Sequence, residues 1–274
     1  MTEAPPAAVL DAFGVDDEPR QLTGGQGTAW VSGALVLKPM GLSVNELVWQ
    51  AELLDSIVPD GFRVARYARA LDGALVVAGW CATQHLEGRH EPRRWAEIVK
   101  VGDRFHASLA GIPRPPFLDD RTDVWAIGDR VAWEELGVDD VPPVKHLDRL
   151  GALRRPVAAQ PQLIHGDLGG NVLFARDLPP AVIDFSPYFR PPGLAAAVVV
   201  ADGLCWEGAD ERILGAVAHI PESSQLLVRA LIYRGVTDRL ARLDEPWRFD
   251  DADPYLAPVE IAERLCHSEE QVSD

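Results

Sequence analysis

"LIHGDLGGNVLF", Leu163 to Phe174, and "VIDFSPY", Val182 to Tyr188, decide how this chain is read. The apolar run "QLI" delivers His165, Gly166 and Asp167 at its end, and a Gly-rich loop follows. Asn171 then opens a second apolar run, "VLF". A turn carrying Pro179 and Pro180 leads to a third run, "AVI", which stops at Asp184. Short apolar runs bounded by Gly, Pro, Asn and Asp read as buried strands. Asn171 and Asp184 then stand at the ends of two hairpin-linked strands, where both reach one hard cation. A few oxygen donors of this kind suit Mg²⁺, which keeps waters and substrate phosphates as its other ligands. Asp167, a short loop away, is placed to accept or orient a hydroxyl proton. Asp and Asn at strand ends also serve as turn formers, and Gly169-Gly170 is a turn signal by itself. The two motifs together, in this order, favour a site.

Working outward, the chain has 274 residues, enough for one large domain or two lobes. Its 42 acidic against 26 basic residues give a net charge of −16. A duplex-binding surface needs the opposite sign, so nucleic acid is not an expected partner. Acidity attracts cations, and it also simply keeps a protein soluble. The three cysteines, Cys81, Cys205 and Cys266, are far apart and odd in number. Neither a disulfide framework nor a Cys-based zinc site is expected from them. The longest apolar run, "LAAAVVVA" from Leu194 to Ala201, is too short to span a bilayer. The N-terminal "MTEAPPAAVLDAFG" has no positive start and no long apolar core, so no signal peptide is expected. The expected address is the reducing cytoplasm, without a membrane partner.

The segment before Gly88 reads as mainly β. A short helix over Ala7 to Phe13 precedes strands over Thr28 to Trp30 and Ala34 to Lys38, joined at Ser32-Gly33. Ser43 followed by Glu46 is a capping box, and Leu47, Val48, Ala51 and Leu54 recur at helical spacing. Two more strands flank a turn at Asp72-Gly73. After Gly88, Trp95, Ile98, Val99, Phe105 and Leu109 fit a long amphipathic helix that Pro113, Pro115 and Pro116 end. A loop-rich stretch with Trp125 and Trp133 comes next. "LAAAVVVADGLCW" and "SQLLVRALIYRGVTDRLARL" read as core helices, and the polar tail from Ser268 as frayed. A boundary near Gln84 to Gly88 separates residues 1–88 from residues 89–274.

The N-terminal part repeats the phosphate theme. "TGGQGTAW" sets glycines in a strand–turn–strand context where backbone N–H groups meet phosphates, although glycine turns are common. Lys38 ends the run "ALVLK", either turned inward to a phosphate or marking a strand end. Glu46 lies on the next helix as a partner for it, with Glu52 as the alternative. The ordered set resembles the eukaryotic-type kinase fold in its small-molecule branch, the aminoglycoside and choline phosphotransferases. That branch carries "HGD", a short loop, Asn and then "IDF", where protein kinases carry "HRD" and "DFG". The resemblance spans about Thr23 to Ser186 and weakens in the helices beyond.

The resemblance implies an α+β, two-lobed protein-kinase-like fold. Residues 1–88 would form a small β-rich nucleotide-binding N-lobe, and 89–274 a larger, mainly helical, catalytic and acceptor-binding C-lobe. It further implies an ATP- and Mg²⁺-dependent transfer of the γ-phosphate to a hydroxyl of a small molecule or peptide. Asp167 resembles the catalytic aspartate, and Asn171 and Asp184 the two metal ligands. Lys38 resembles the lysine on the α- and β-phosphates, oriented by Glu46. Gly25, Gln26 and Gly27 resemble the phosphate loop. "QHLEG", Gln84 to Gly88 and so including His85 and Glu87, resembles the hinge that holds adenine, with Leu173 and Ile183 on the pocket floor. His165 would hold the catalytic loop through backbone contacts. In one departure, Asn171 follows Asp167 by four positions where the family has five. A nucleotide-binding pseudokinase acting as a regulatory or interaction module is therefore the alternative. Acceptor candidates in the C-terminal half are the acidic Asp202, Glu207, Asp210 and Glu211, then Asp244, Glu245, Asp250, Asp251 and Asp253. Trp206, Trp247 and Tyr255 are either stacking platforms or core, and the acidic residues are alternatively a solvated face.

Overall fold

The first helix, α1 (Ala7–Phe13), starts after Pro6 and stops at Gly14, whose left-handed φ of 66° suits a residue without Cβ. The computed structural model describes residues 3–23, 27–243 and 253–273, with the side chains of 270, 272 and 273 left aside. After α1 come β1 (Arg20–Gln21), β2 (Trp30–Ser32), β3 (Leu35–Pro39), α2 (Val44–Ser56), β4 (Arg63–Val64), β5 (Tyr67–Ala68) and β6 (Trp80–Gln84). The next stretch holds α3 (Trp95–Ser108), α4 (Phe117–Asp120), α5 (Val124–Ala132) and α6 (Leu147–Leu153). Then follow β7 (Gln162–His165), β8 (Val172–Ala175), β9 (Leu178–Val182), β10 (Pro187–Arg190), α7 (Gly193–Trp206), α8 (Ser223–Ala241) and α9 (Leu256–Ser273). The architecture is α+β, with a β-rich N-terminal sheet and a larger helical C-terminal part. No described helix is long and apolar enough to cross a membrane.

Two compact units make up the chain: Met1–His90 with Gly170–Asp184, and Glu91–Gly169 with Phe185–Asp274. In the first, β1, β2, β3, β6 and β5 form an antiparallel sheet in that order. Val9 and Phe13 of α1 pack on Leu37, Trp80 and Ala82 of this sheet. The hydroxyl of Ser43 accepts the Glu46 N–H and so caps α2. A second sheet has the order β4-β9-β8, with β4 parallel to β9 (Arg63 opposite Ala181) and β8 antiparallel to it. Residues distant in sequence thus share a unit because Val64 and Val182 pair.

In the second unit, β10 pairs antiparallel with β7, Pro187 opposite His165. α7 is apolar on every side and buried from Leu194 to Ala201, with α8 packed along it. α3 buries Ile98, Val99, Val101 and Phe105. Burying a side chain such as Phe105 contributes about 1.5–3 kcal/mol.

Three local expectations change. Pro179 and Pro180 lie in β9, and the turn sits at Arg176-Asp177, with Asp177 at φ 60°. The prolines are tolerated there because β4 pairs with β9 only from Ala181, so no ladder N–H is missed. The stretch around Trp125 and Trp133 contains α4, α5 and α6 rather than loop. α5 depends on packing: a Cβ at Gly128 would lie 2.5 Å from Thr237 Oγ1 and 2.8 Å from the Tyr233 carbonyl of α8. "SPYFR" supplies β10, tied to α5 by Arg190 Nη2 and Asp129 Oδ2 at 2.7 Å. Finally, α9 continues through Ser273 where a frayed tail was expected.

Candidate functional site

In the first unit, the pairing of Val172 with Val182 puts Asn171 beside Ile183, whose N–H donates to the Asn171 carbonyl at 3.0 Å. The chain turns sharply at Asp184, which holds a left-handed φ of 52°. Such strain in a non-glycine residue persists where the surroundings impose it, and it gathers at functional sites. Asp184 Oδ2 meets Lys38 Nζ at 2.9 Å. Lys38 lies in β3 opposite Cys81 of β6. One side-chain oxygen from each end of the hairpin, with a lysine alongside, is a donor set for a hard cation and phosphate oxygens. Among the described residues no three His, Cys, Asp or Glu side chains gather to hold a metal. Oxygen donors of this kind suit a hard cation such as Mg²⁺ that is completed by waters and phosphates.

Glu46 is buried on α2 and accepts from Gln50 Nε2 at 3.2 Å, and Gln50 Oε1 accepts the Tyr67 hydroxyl at 3.1 Å. Burial, with Cys81, Asp184 and Glu46 nearby, raises the Tyr67 pKa well above the phenol range. The Cys81 thiol is likewise pushed up by burial, against the pull of Lys38. Lys38, Glu46 and Asp184 thus share one neighbourhood within the unit, while the alternative partner Glu52 is exposed.

The "QHLEG" segment continues the sheet. The His85 N–H donates to the Ala34 carbonyl at 2.8 Å, and the Glu87 carbonyl accepts Arg63 Nη2 at 2.8 Å. Gly88 has φ 140°, and a Cβ there would sit 3.0 Å from Leu173 Cβ and 3.1 Å from the Phe174 carbonyl. Only glycine lets this segment approach β8 so closely. Arg89 and Phe174 then exchange backbone hydrogen bonds at 3.0 and 2.9 Å. His85, Glu87, Leu173 and Ile183 therefore belong to one unit, with Leu173 directly against Gly88. Gly27 adopts φ 66° in the β1–β2 connection, and its carbonyl accepts Gln21 Nε2 at 2.7 Å. Gly25 and Gln26 lie outside the described residues.

In the second unit, β7 carries the His165-Gly166-Asp167 turn. His165 is fully buried, and its Nδ1 accepts the N–H groups of Asp167 at 3.2 Å and Ser186 at 3.4 Å. That leaves its ring proton on Nε2. Phe105 and Phe185 pack edge-on against the ring, with centroids 6.3 and 5.7 Å away. The His165 N–H in turn donates to His106 Nε2 at 3.1 Å. Burial lowers the His106 pKa to about 3, so that imidazole is neutral. A Cβ at Gly166 would strike the Tyr188 ring at 2.3 Å, and one at Gly102 would meet Leu168 Cδ1 at 2.4 Å. The turn that presents Asp167 is thus packed from both sides.

Sequence reasoning missed the partner of Asp167. Arg234 of α8 places Nη2 2.6 Å from Asp167 Oδ1, and its Nε and Nη2 meet Asp202 Oδ1 and Oδ2 at 2.7 and 2.6 Å. Burial opposes the arginine's charge, but Asp202 and Asp167 more than offset it and raise its pKa well above the guanidinium range. No spacing rule joins "LIYRGV" to "HGD", so nothing local marked this contact. Asp202 is correspondingly no surface acceptor group: it is buried, which pushes its carboxyl pKa up, while Arg234 works to keep it ionised.

The remaining acidic candidates are largely compensated locally. Glu207 accepts from Trp95 Nε1, Asp210 pairs with Arg212 at 2.6 Å, Glu211 pairs with Arg264, and Asp253 meets His146 at 2.9 Å. Trp206 is half exposed and edge-on to a buried Tyr255, 5.7 Å between centroids. Asp244, Glu245, Trp247, Asp250 and Asp251 lie outside the described residues.

No family profile matches the chain, and no curated protein matches it. Among solved structures it has the protein-kinase-like fold. More narrowly, the fold is the one seen in aminoglycoside phosphotransferases and choline kinases. A spectinomycin phosphotransferase solved with ADP and spectinomycin is 14% identical and superposes with a TM-score of 0.58, over 94% of this chain and 92% of that one. The amicoumacin kinase, solved with AMP-PNP and Ca²⁺, is 12% identical at a TM-score of 0.61, over 95% and 92%. The choline kinase of Streptococcus pneumoniae is 11% identical at 0.57, over 95% and 97%. Each of these neighbours is a phosphotransferase, and at such identities the likeness carries the fold alone.

Proposed function

We propose that the chain is an ATP-dependent phosphotransferase that moves the γ-phosphoryl group to a hydroxyl of a small molecule, acting in the cytoplasm. The observation that carries this is the β8–β9 hairpin. It sets Asn171 beside Ile183, the residue before the strained Asp184, and puts Asp184 2.9 Å from Lys38. The fold supports the same reading.

In this reading the first unit binds nucleotide and the second supplies the catalytic and acceptor groups. Lys38 holds phosphate oxygens, and Asn171 and Asp184 are the oxygen ligands of Mg²⁺. Glu46 steadies the lysine's surroundings through Gln50 and Tyr67. Gly25, Gln26 and Gly27 cover the phosphates, and His85, Glu87, Leu173 and Ile183 frame the base. Asp167 would orient the acceptor hydroxyl and take its proton as the hydroxyl oxygen bonds to the γ-phosphorus, the bond from that phosphorus to the β–γ bridging oxygen breaks and ADP leaves. Bound MgATP supplies the transferable phosphoryl group and neutralises the developing charge. The protein's contribution is positioning and fixed charge rather than covalent chemistry.

A thermal-shift titration with ATP, with and without Mg²⁺, tests the reading. Ligand at a hundred times its dissociation constant stabilises by about 2.7 kcal/mol. For a chain of this size that is roughly 5–10 °C. The expected result is a shift that needs Mg²⁺, with Asp167→Ala retaining the shift and losing ATP turnover. No shift with ATP or GTP, or unchanged turnover in Asp167→Ala, overturns it.

A further inference from the structure

We propose that Arg234, anchored by Asp202, is the positioning residue for Asp167. The inference rests on the phosphotransfer reading of Asp167 and assigns the contact that holds its carboxylate in place.

The geometry is a planar fork with one shared tine. Asp202 takes Nε at 2.7 Å and Nη2 at 2.6 Å, which fixes the plane of the guanidinium. Nη2 is then held 2.6 Å from Asp167 Oδ1. Asp202 is the larger of the two carboxylate contributions that offset the burial of this arginine between α7 and α8. Asp167 is different: its side chain is 44% exposed against 11% for Arg234, so burial does not demand an ion pair there. The contact to Asp167 is thus additional to what helix packing needs.

The loop supports the same assignment. A Cβ at Gly169 would sit 3.2 Å from Asp202 Oδ2, so the loop backbone lies against the carboxylate that anchors the arginine. Asp167 and Asn171 are four positions apart. In a loop of that length Asp167 is held from outside the loop. His165 Nδ1 takes its backbone N–H at 3.2 Å, and Arg234 takes its carboxylate. Among the described residues, the charged and titratable groups around Asp167 include His165 from β7, Asp202 from α7, and Tyr233 and Arg234 from α8.

The test compares wild type with Arg234→Met and Arg234→Lys, using MgATP as the probe and water as the phosphoryl acceptor. Circular dichroism establishes that each variant is folded. In Arg234→Met the kcat for ATP falls about tenfold to a hundredfold, the size of effect that a misplaced reacting group produces. KM for ATP stays within about twofold, because nucleotide is held elsewhere. The acidic limb of kcat moves to higher pH, since an aspartate without its arginine binds a proton more readily. Arg234→Lys recovers part of the rate, because it keeps the charge and loses the fork. A second readout needs no turnover: the ¹³C titration of the Asp167 carboxyl, assigned by its loss in Asp167→Asn, rises in Arg234→Met. An unchanged Asp167 midpoint, or a kcat within twofold of wild type, overturns the proposal. A raised midpoint in a protein whose wild type turns over no ATP upholds the contact and overturns the phosphotransfer reading instead. If Arg234→Met does not fold, Arg234→Gln, which also removes the charge, carries the same two measurements with the same criteria.

Discussion

Replacing His165 separates a structural histidine from a proton carrier. The imidazole is fully buried, and its Nδ1 accepts two backbone N–H groups, those of Asp167 and Ser186. His165→Leu keeps the apolar contacts with Phe105 and Phe185 but leaves both donors without this acceptor. Each buried donor left unsatisfied costs about 1–3 kcal/mol. The expected loss of stability is therefore about 2–6 kcal/mol, against a whole stability of about 5–15 kcal/mol for a typical domain. Asp167 follows the freed backbone, and a displacement of roughly 1 Å lowers ATP turnover about a hundredfold. His165→Asn is the control, because its Oδ1 stands near the position of Nδ1 and still accepts. It should stay within about 1 kcal/mol of wild type and keep most of the turnover. Urea unfolding followed by tryptophan fluorescence gives the stabilities, and a coupled ADP assay gives the rates. If His165→Leu unfolds at the wild-type urea concentration, or if His165→Asn is as damaged as His165→Leu, the backbone-holding role is wrong. Loss of turnover in the Asn variant with full stability would point to proton transfer by the imidazole.

Two further outcomes follow from the same geometry. Burial holds the His106 pKa near 3 in the folded chain against 6.5 when exposed, so its contribution is complete above pH 6.5 and is lost as pH falls from there towards 3. Stability should fall by about 1.4 kcal/mol per pH unit through that window from this group alone. His106→Gln should remove that slope in urea titrations at pH 7, 6 and 5; equal slopes in both proteins would refute the assignment. Asp184→Asn should barely change the stability of the ligand-free protein. Its ion pair with Lys38 is partly exposed on both sides, 33% and 57%, and such pairs contribute about 0–1 kcal/mol. Asn also accepts the left-handed backbone that Asp184 adopts. Mg²⁺-dependent ATP binding by calorimetry should nevertheless collapse, and an unchanged Mg²⁺ response in this variant would remove Asp184 from the metal site.

Elements of both units were legible because their signals are local. Ser43 caps α2 with the spacing expected of it, Gly14 ends α1 where it must, and the apolar runs before Asp167, after Asn171 and before Asp184 are strands. The ends of a hairpin are neighbours by construction, so Asn171 and Asp184 came together from order and spacing alone. The turn around Asp177 was misplaced onto the prolines, because the tolerance of Pro179 and Pro180 depends on where the partner strand β4 begins. α5 was read as loop for a related reason: Gly128 weakens the local helical signal and becomes useful only against Thr237 of α8.

By itself, then, the sequence determined the two motifs, the residue types at their ends and the strand–helix alternation around them, since these depend on neighbours along the chain. Tertiary structure alone decided that β4 and β9 pair, that Gly88 lies on Leu173, and that Arg234 reaches Asp167 from 67 positions away. Those contacts join elements whose separation along the chain carries no periodic or turn signal. They are set by which side chains can be buried together and by which buried charges find a partner.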